Sequence, residues 1–240
     1  EEMGKMRVEI PGDEKKALTH YAYHIKAGKE IFAAEGAFGQ YLICFRDFPV
    51  AIGITAGARE YLAADICLKY MKEAISEPCN EEQLEAAEKA LRAKLNSLSL
   101  VQPEGTFRTA RKEAAKLFDR KILFTENPRK VESVVFTKEG YRIKIEAVIN
   151  GEQKTLYASY KAWKRNNLYP DDFTKKYQSV AYAMDAEALY LSVGLINTSY
   201  KEEYSLWVNS EDKVIATWRP NVTYLPEEPD MVWKFTGTFE

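Results

Sequence analysis

The sequence predicts an α+β protein, with a helical N-terminal part containing a short β-hairpin and then an antiparallel β-sandwich or partly closed barrel. Three observations carry that expectation. In the first hundred residues apolar positions recur mostly at three- and four-residue spacing, the helical period. From residue 131 they recur at every second position, the strand period. Most of the 15 tyrosines and 4 tryptophans fall after residue 140, and aromatic enrichment favours sheet. With 240 residues, 46% of them apolar, the chain can build two modest cores. The expected organisation is a mainly helical region over 1–104, a basic amphipathic helix and connector over 105–130, and an aromatic-rich antiparallel β domain over 131–240.

Each element has a local reason. Residues 13–35 carry Leu18, Tyr21, Ala22, Ile25, Phe32 and Ala33 near helical spacing, with Gly28 as a weak point. Residues 41–45 and 50–55 are short apolar runs around an Asp47-Phe48-Pro49 turn. Residues 59–75 place Tyr61, Leu62, Ile66 and Met71 on one helix face, which Pro78 ends. Asn80 with Gln83 three residues on forms a capping box for a helix to about residue 95. Gln102-Pro103-Glu104-Gly105 is a breaker cluster, and a helix over 106–119 is expected after it.

Beyond that, Glu139-Gly140 and Asn150-Gly151 punctuate a three-stranded meander over 131–160, Asn-Gly being a strong hairpin signal. Two further hairpins are expected around 185–187 and 210–212, and a last strand over 232–239.

Net charge is only −2, yet charge is segregated along the chain. Residues 105–176 hold 17 basic against 9 acidic side chains, whereas residues 177–240 hold 4 against 10. Arg108, Arg111, Lys112 and Lys116 would share one side of the 106–119 helix, and Arg120 extends them. Lys161, Lys164 and Arg165 surround Trp163. Cations displace counterions from phosphates and flat rings stack on bases, so these nine residues are the candidate binding set.

Catalytic chemistry finds little support. The only histidines, His20 and His24, would lie on one face of the first helix, a weak two-histidine metal candidate with Cys44 or Asp47 nearby in sequence. No nucleophile elbow, dinucleotide loop or Walker loop occurs, so no catalytic residue and no cofactor is assigned. Asp171-Asp172, Glu202-Glu203 and Glu227-Glu228 read as solvated pairs. Three cysteines are no disulfide framework and lean towards a reducing, cytoplasmic setting, although Asn197 and Asn221 head two sequons. No run of 18 apolar residues and no signal-peptide pattern occurs, so no membrane insertion is expected.

The resulting expectation is a non-enzymatic binding or assembly protein that recognises a protein or anionic polymer through the basic surface of 105–176. Two alternatives stand beside it. One is a single-stranded nucleic-acid binder using that surface; the other is a hydrolase or metal-dependent enzyme with its site near His20 and His24. Trp207, Trp218 and Trp233 are further candidates for stacking on a sugar or peptide.

Overall fold

The computed structural model describes residues 4–12, 16–58, 63–76, 79–107, 112–222 and 232–240. It divides into two compact units, Glu1–Leu100 and Val101–Glu240.

The first unit is a six-stranded antiparallel meander: β1 (Val8–Glu9), β2 (His20–Ala22), β3 (Ile25–Ala27), β4 (Ile31–Gly36), β5 (Gln40–Phe45) and β6 (Ala51–Ile54), in that spatial order. Two helices follow, α1 (Ala63–Ser76) and α2 (Glu81–Ser97). Buried Ile31, Ala33, Tyr41, Ile43 and Phe45 line one sheet face, and α1 covers it with Ala64, Cys67, Leu68 and Met71. Each fully buried branched side chain stabilises by roughly 1.5–3 kcal/mol. Helix α2 starts at the capping box expected of Asn80 and Gln83, with both reciprocal hydrogen bonds at 2.9 Å.

The expected helix over 13–35 is a correction. Its described residues form β2, β3 and β4 instead. Tyr23 and His24 join β2 to β3 with φ of 48° and 60°, the left-handed pair that a two-residue hairpin requires. Neither is a usual residue for such a turn, which is why the hairpin left no mark in the sequence. Gly28 is there because a Cβ would stand 1.8 Å from the Ala17 carbonyl oxygen, so two chain segments meet where only glycine fits.

The second unit opens with α3 (Lys112–Ala115) and continues as strands β7 (Lys121–Phe124), β8 (Val131–Glu139), β9 (Arg142–Ile149), β10 (Glu152–Tyr160), β11 (Lys164–Asn167), β12 (Tyr177–Met184), β13 (Ala188–Leu195), β14 (Lys201–Val208), β15 (Val214–Pro220) and β16 (Trp233–Phe239). Neighbours follow the order β10-β9-β8-β7-β16-β15-β14-β13-β12-β11, and β10 also pairs with β12. That last pairing is parallel, Ser159 with Ala181 and Tyr160 with Tyr182, and it closes nine strands into a barrel. The short β11 wedges into the seam. The Asn166 side chain accepts from the Tyr157 amide at 2.7 Å and donates to the Tyr157 carbonyl at 2.9 Å, doing a strand's work with one carboxamide.

This architecture overturns the α+β expectation. The N-terminal part builds a six-stranded β-meander ahead of its two helices, and the C-terminal part is neither a sandwich nor a partly closed barrel but a closed one. Of the helix expected over 106–119, the described residues show α3, Lys112–Ala115; residues 108–111 lie outside the described residues. The hairpins expected around residues 140, 150, 186 and 211 do form. Asn150 and Gly151 both take positive φ, as Asn-Gly turns do.

The barrel's two ends differ. At one, which carries the β8–β9, β10–β11, β12–β13 and β14–β15 connections, the lead-in segment forms a plug. Thr106 pairs with Met184 through two 2.8 Å hydrogen bonds. Phe107 stacks between Tyr141 and Tyr160, and Ala114, Leu117 and Phe118 are buried. The opposite end carries the β7–β8, β9–β10, β11–β12 and β13–β14 connections, and the site described next lies towards it.

Candidate functional site

Strand alternation sends Phe124, Val134, Phe136, Ile145, Ala147, Leu156, Val180, Leu191, Val193, Leu206, Ala216 and Phe235 inward. They do not fill the barrel. A cavity of about 400 Å³ remains among them. Its rim is formed by the 128–130 loop, Asn150, and Tyr169, Asp172 and Lys175 between β11 and β12.

Polar groups enter this wall at a few positions. Buried Gln178 projects from β12. Glu202 and Tyr204, two apart on β14, share the inward face with Leu206. Arg129 reaches them from the β7–β8 loop, whose shape is set by buried Asn127: its carboxamide donates to the carbonyls of Thr125 and Val131 and accepts from the Val131 amide. Lys130 then takes φ of 52°, which turns the chain into β8.

The three groups interlock. Arg129 Nη2 lies 3.0 Å from Glu202 Oε1. The Tyr204 hydroxyl donates to Glu202 Oε2 at 2.7 Å and accepts from Arg129 Nε at 3.3 Å. The guanidinium lies over the Trp218 ring at 5.3 Å. The Glu202 side chain is 9% exposed and that of Arg129 31%. Burial and then the Glu202 charge push the Tyr204 phenol far up, so it remains a hydrogen-bond donor. Burial works against the Arg129 charge, but Tyr204 and Glu202 outweigh it and hold the guanidinium protonated. A buried pair of this kind persists only when its remaining hydrogen bonds are met, and Tyr204 meets one on each partner. Two more polar atoms of the unit, Tyr182 Oη and Trp218 Nε1, are buried with no hydrogen-bond partner among the described residues.

The sequence-derived binding set is dispersed. Arg108 and Arg111 lie outside the described residues, and Lys112 begins α3. Lys116 lies 2.9 Å from Glu113 and 3.5 Å from Asp212; Arg120 reaches Asp212 at 3.9 Å and stacks 3.5 Å above Phe239. Those two therefore sit by the β14–β15 turn and β16. Lys161 lies over Tyr160, Arg165 stacks 3.9 Å above Tyr177, Lys164 lies in β11 and Trp163 just precedes it. In the strand order β10–β12 and β15–β16 stand on opposite sides of the ring. The described cations of the set thus do not gather on one face, and Lys116 and Arg120 are paired with a neighbouring acid.

The expected recognition of a protein, anionic polymer or single-stranded nucleic acid through that surface is corrected accordingly; the built site is an internal, mainly apolar cavity. The placement of the two histidines is corrected as well. His20 lies on β2 against the Thr19 hydroxyl, and His24 lies in the turn against the Tyr21 hydroxyl, so the helix face meant to unite them does not exist. No group of three ligating side chains assembles among the described residues.

Glu202, expected from the sequence to be half of a solvated pair, is instead buried in the cavity wall. Its partner Glu203 is indeed outward, with a side chain 46% exposed, while Glu202 occupies the apolar phase of β14. A charge in register with Leu206 and Val208 was the available signal. Trp218 and Trp233 pack against each other at 4.3 Å. Among the described residues, no helix is long and apolar enough to cross a membrane.

No family model matches the sequence, and no curated protein matches it. Among solved structures, it is similar to a "REP1-NXSQ fatty acid transporter" at 13% identity and a TM-score of 0.39, over 53% of this chain and 98% of that one. It is similar to the fatty-acid-binding protein isolated from Manduca sexta at 10% identity and a TM-score of 0.37, over 51% and 98%. It is also similar to apo Caenorhabditis elegans lipid binding protein 8 at 6% identity and a TM-score of 0.40, over 52% and 96%. Likeness at these scores adds nothing to what the chain's own strands define.

Proposed function

We propose that the C-terminal barrel binds one small, mainly apolar molecule of lipid-like chemistry inside its cavity. The observation that carries this reading is the cavity itself. About 400 Å³ of space is ringed by inward-facing aliphatic and aromatic side chains, with a single interlocked polar cluster at one side. Small-molecule sites have this form: roughly 300–1,000 Å³, apolar walls, and a few placed polar groups that fix orientation. An apolar ligand would gain about 25 cal/mol for each Å² it removes from water. The three unpaired cysteines fit a cytoplasmic setting, which is carried here as part of the same proposal.

Fluorescence titration with the neutral dye Nile red tests the reading. The native protein should bind one dye saturably, and a long-chain alcohol should displace it. Ala147→Phe and, separately, Ala216→Leu place bulk in the cavity wall and should weaken binding at least about tenfold while each variant still melts cooperatively. Equal binding by both folded variants would refute an internal site.

A further inference from the structure

We propose that the polar cluster selects an uncharged, oxygen-bearing headgroup — the alcohol or ester of a long aliphatic chain — over a free carboxylate. This rests on the apolar-ligand reading above and specifies its ligand class. A guanidinium in an apolar cavity invites a carboxylate when it is alone, but Arg129 is not alone. Glu202 already supplies the counter-charge at 3.0 Å, and the Tyr204 hydroxyl proton is committed to Glu202 at 2.7 Å. Arg129, Glu202 and Tyr204 thus form a closed set of hydrogen bonds with no net charge.

A ligand carboxylate entering here would add an uncompensated charge beside a second carboxylate, in surroundings where an unpaired ion is costly. An ester or hydroxyl oxygen needs only a donor. Arg129 retains N–H groups with no partner among the described residues, since its bonds to Tyr204 and Glu202 use Nε and one position on Nη2. Gln178, also in the wall, is a neutral donor and acceptor. The other charges at the rim do not restore a carboxylate site. Asp172 lies 3.3 Å from Lys175 and cancels it, and Lys130 is exposed, where water weakens its pull.

The test compares dodecan-1-ol with dodecanoic acid by displacement of Nile red from the native protein. Near neutral pH the alcohol should bind at least about tenfold more tightly than the acid. As pH falls towards the acid's own pKa, acid affinity should climb and alcohol affinity should stay flat. Glu202→Gln removes the counter-charge and should bring the acid level with the alcohol or ahead of it. Equal affinities in the native protein, or an acid affinity that ignores pH, would overturn the selectivity; the pH series needs no variant to fold. If neither compound displaces the dye and no dye binds, the proposed function fails instead, so the two failures are distinguishable.

Discussion

The two ends of the barrel are built from the same strands, yet among the described residues one takes in side chains from outside the strand set and the other holds a cavity. At the plugged end Leu117, Phe118 and Phe107 arrive from outside the strand set and occupy the interior. Towards the other end the corresponding volume is left open among Leu156, Val193 and Gln178, and a charged pair is admitted into the wall. The difference teaches that the strands alone do not determine what the barrel contains. Nine strands leave room that only additional side chains can fill, and among the described residues this chain supplies them at one end.

The sharpest way to break the comparison is to mutate each end in the same manner. Leu117→Ala should destabilise by about 3–5 kcal/mol, because Leu117 is fully buried and its removal leaves a void. Leu156→Ala, whose side chain already borders open space, should cost about 2 kcal/mol or less. Urea denaturation measures both, and equal losses would mean that the cavity is not empty space in solution. Next in size is Asn166→Ala. It strips partners from the Tyr157 amide and carbonyl at the barrel seam and should cost about 2–3 kcal/mol by the same measurement.

The smallest effect is titration at the two ends. Asp172, on the open side, is held at about 2 chiefly by the Thr174 hydroxyl, with Lys175 adding to it. Asp185, in the β12–β13 turn at the plugged end, is opposed by burial. The Tyr190 hydroxyl and the Glu187 and Ala188 amides nonetheless pull it below its ordinary value of 3.8. Each carboxyl binds a proton less readily folded than unfolded. Its contribution is therefore complete above the ordinary carboxylate pKa and is lost as pH falls through the folded value. Melting temperature followed through the acid range should fall for the native protein and fall less steeply for Asp172→Asn and Asp185→Asn.

Much of the β domain was legible in the sequence, because its turns are local chemistry. Asn150-Gly151 and Glu139-Gly140 identify their hairpins, and alternation marks the strands between them. What the sequence withheld was non-local. Closure depends on two parallel residue pairs and one asparagine side chain, none of which leaves a periodic trace. The N-terminal misreading had a different origin. Tyr21, Ala22 and Ile25 satisfy a helical spacing while being the two arms of a hairpin, and Tyr23-His24 lacks the glycine or asparagine that would have betrayed the turn. The polar cluster of the cavity wall was missed for a third reason. Residues 105–176 are rich in cations, and Arg129 is set apart among them by an acid 73 positions further along the chain.

The half-length β11 has one more consequence. A ring of strands that alternate in direction must have an even count, so nine can close only through one like-directed joint, and that joint is β10 with β12. Where β11 intervenes, the circumference gains a tenth member, and alternation is restored. Circumference sets diameter, so the bore widens along its axis in the direction that Asn166, Asn167 and the rim residues face. Four residues of chain, inserted on one side and withdrawn before the other, give the barrel one more strand at its rim than at its plug.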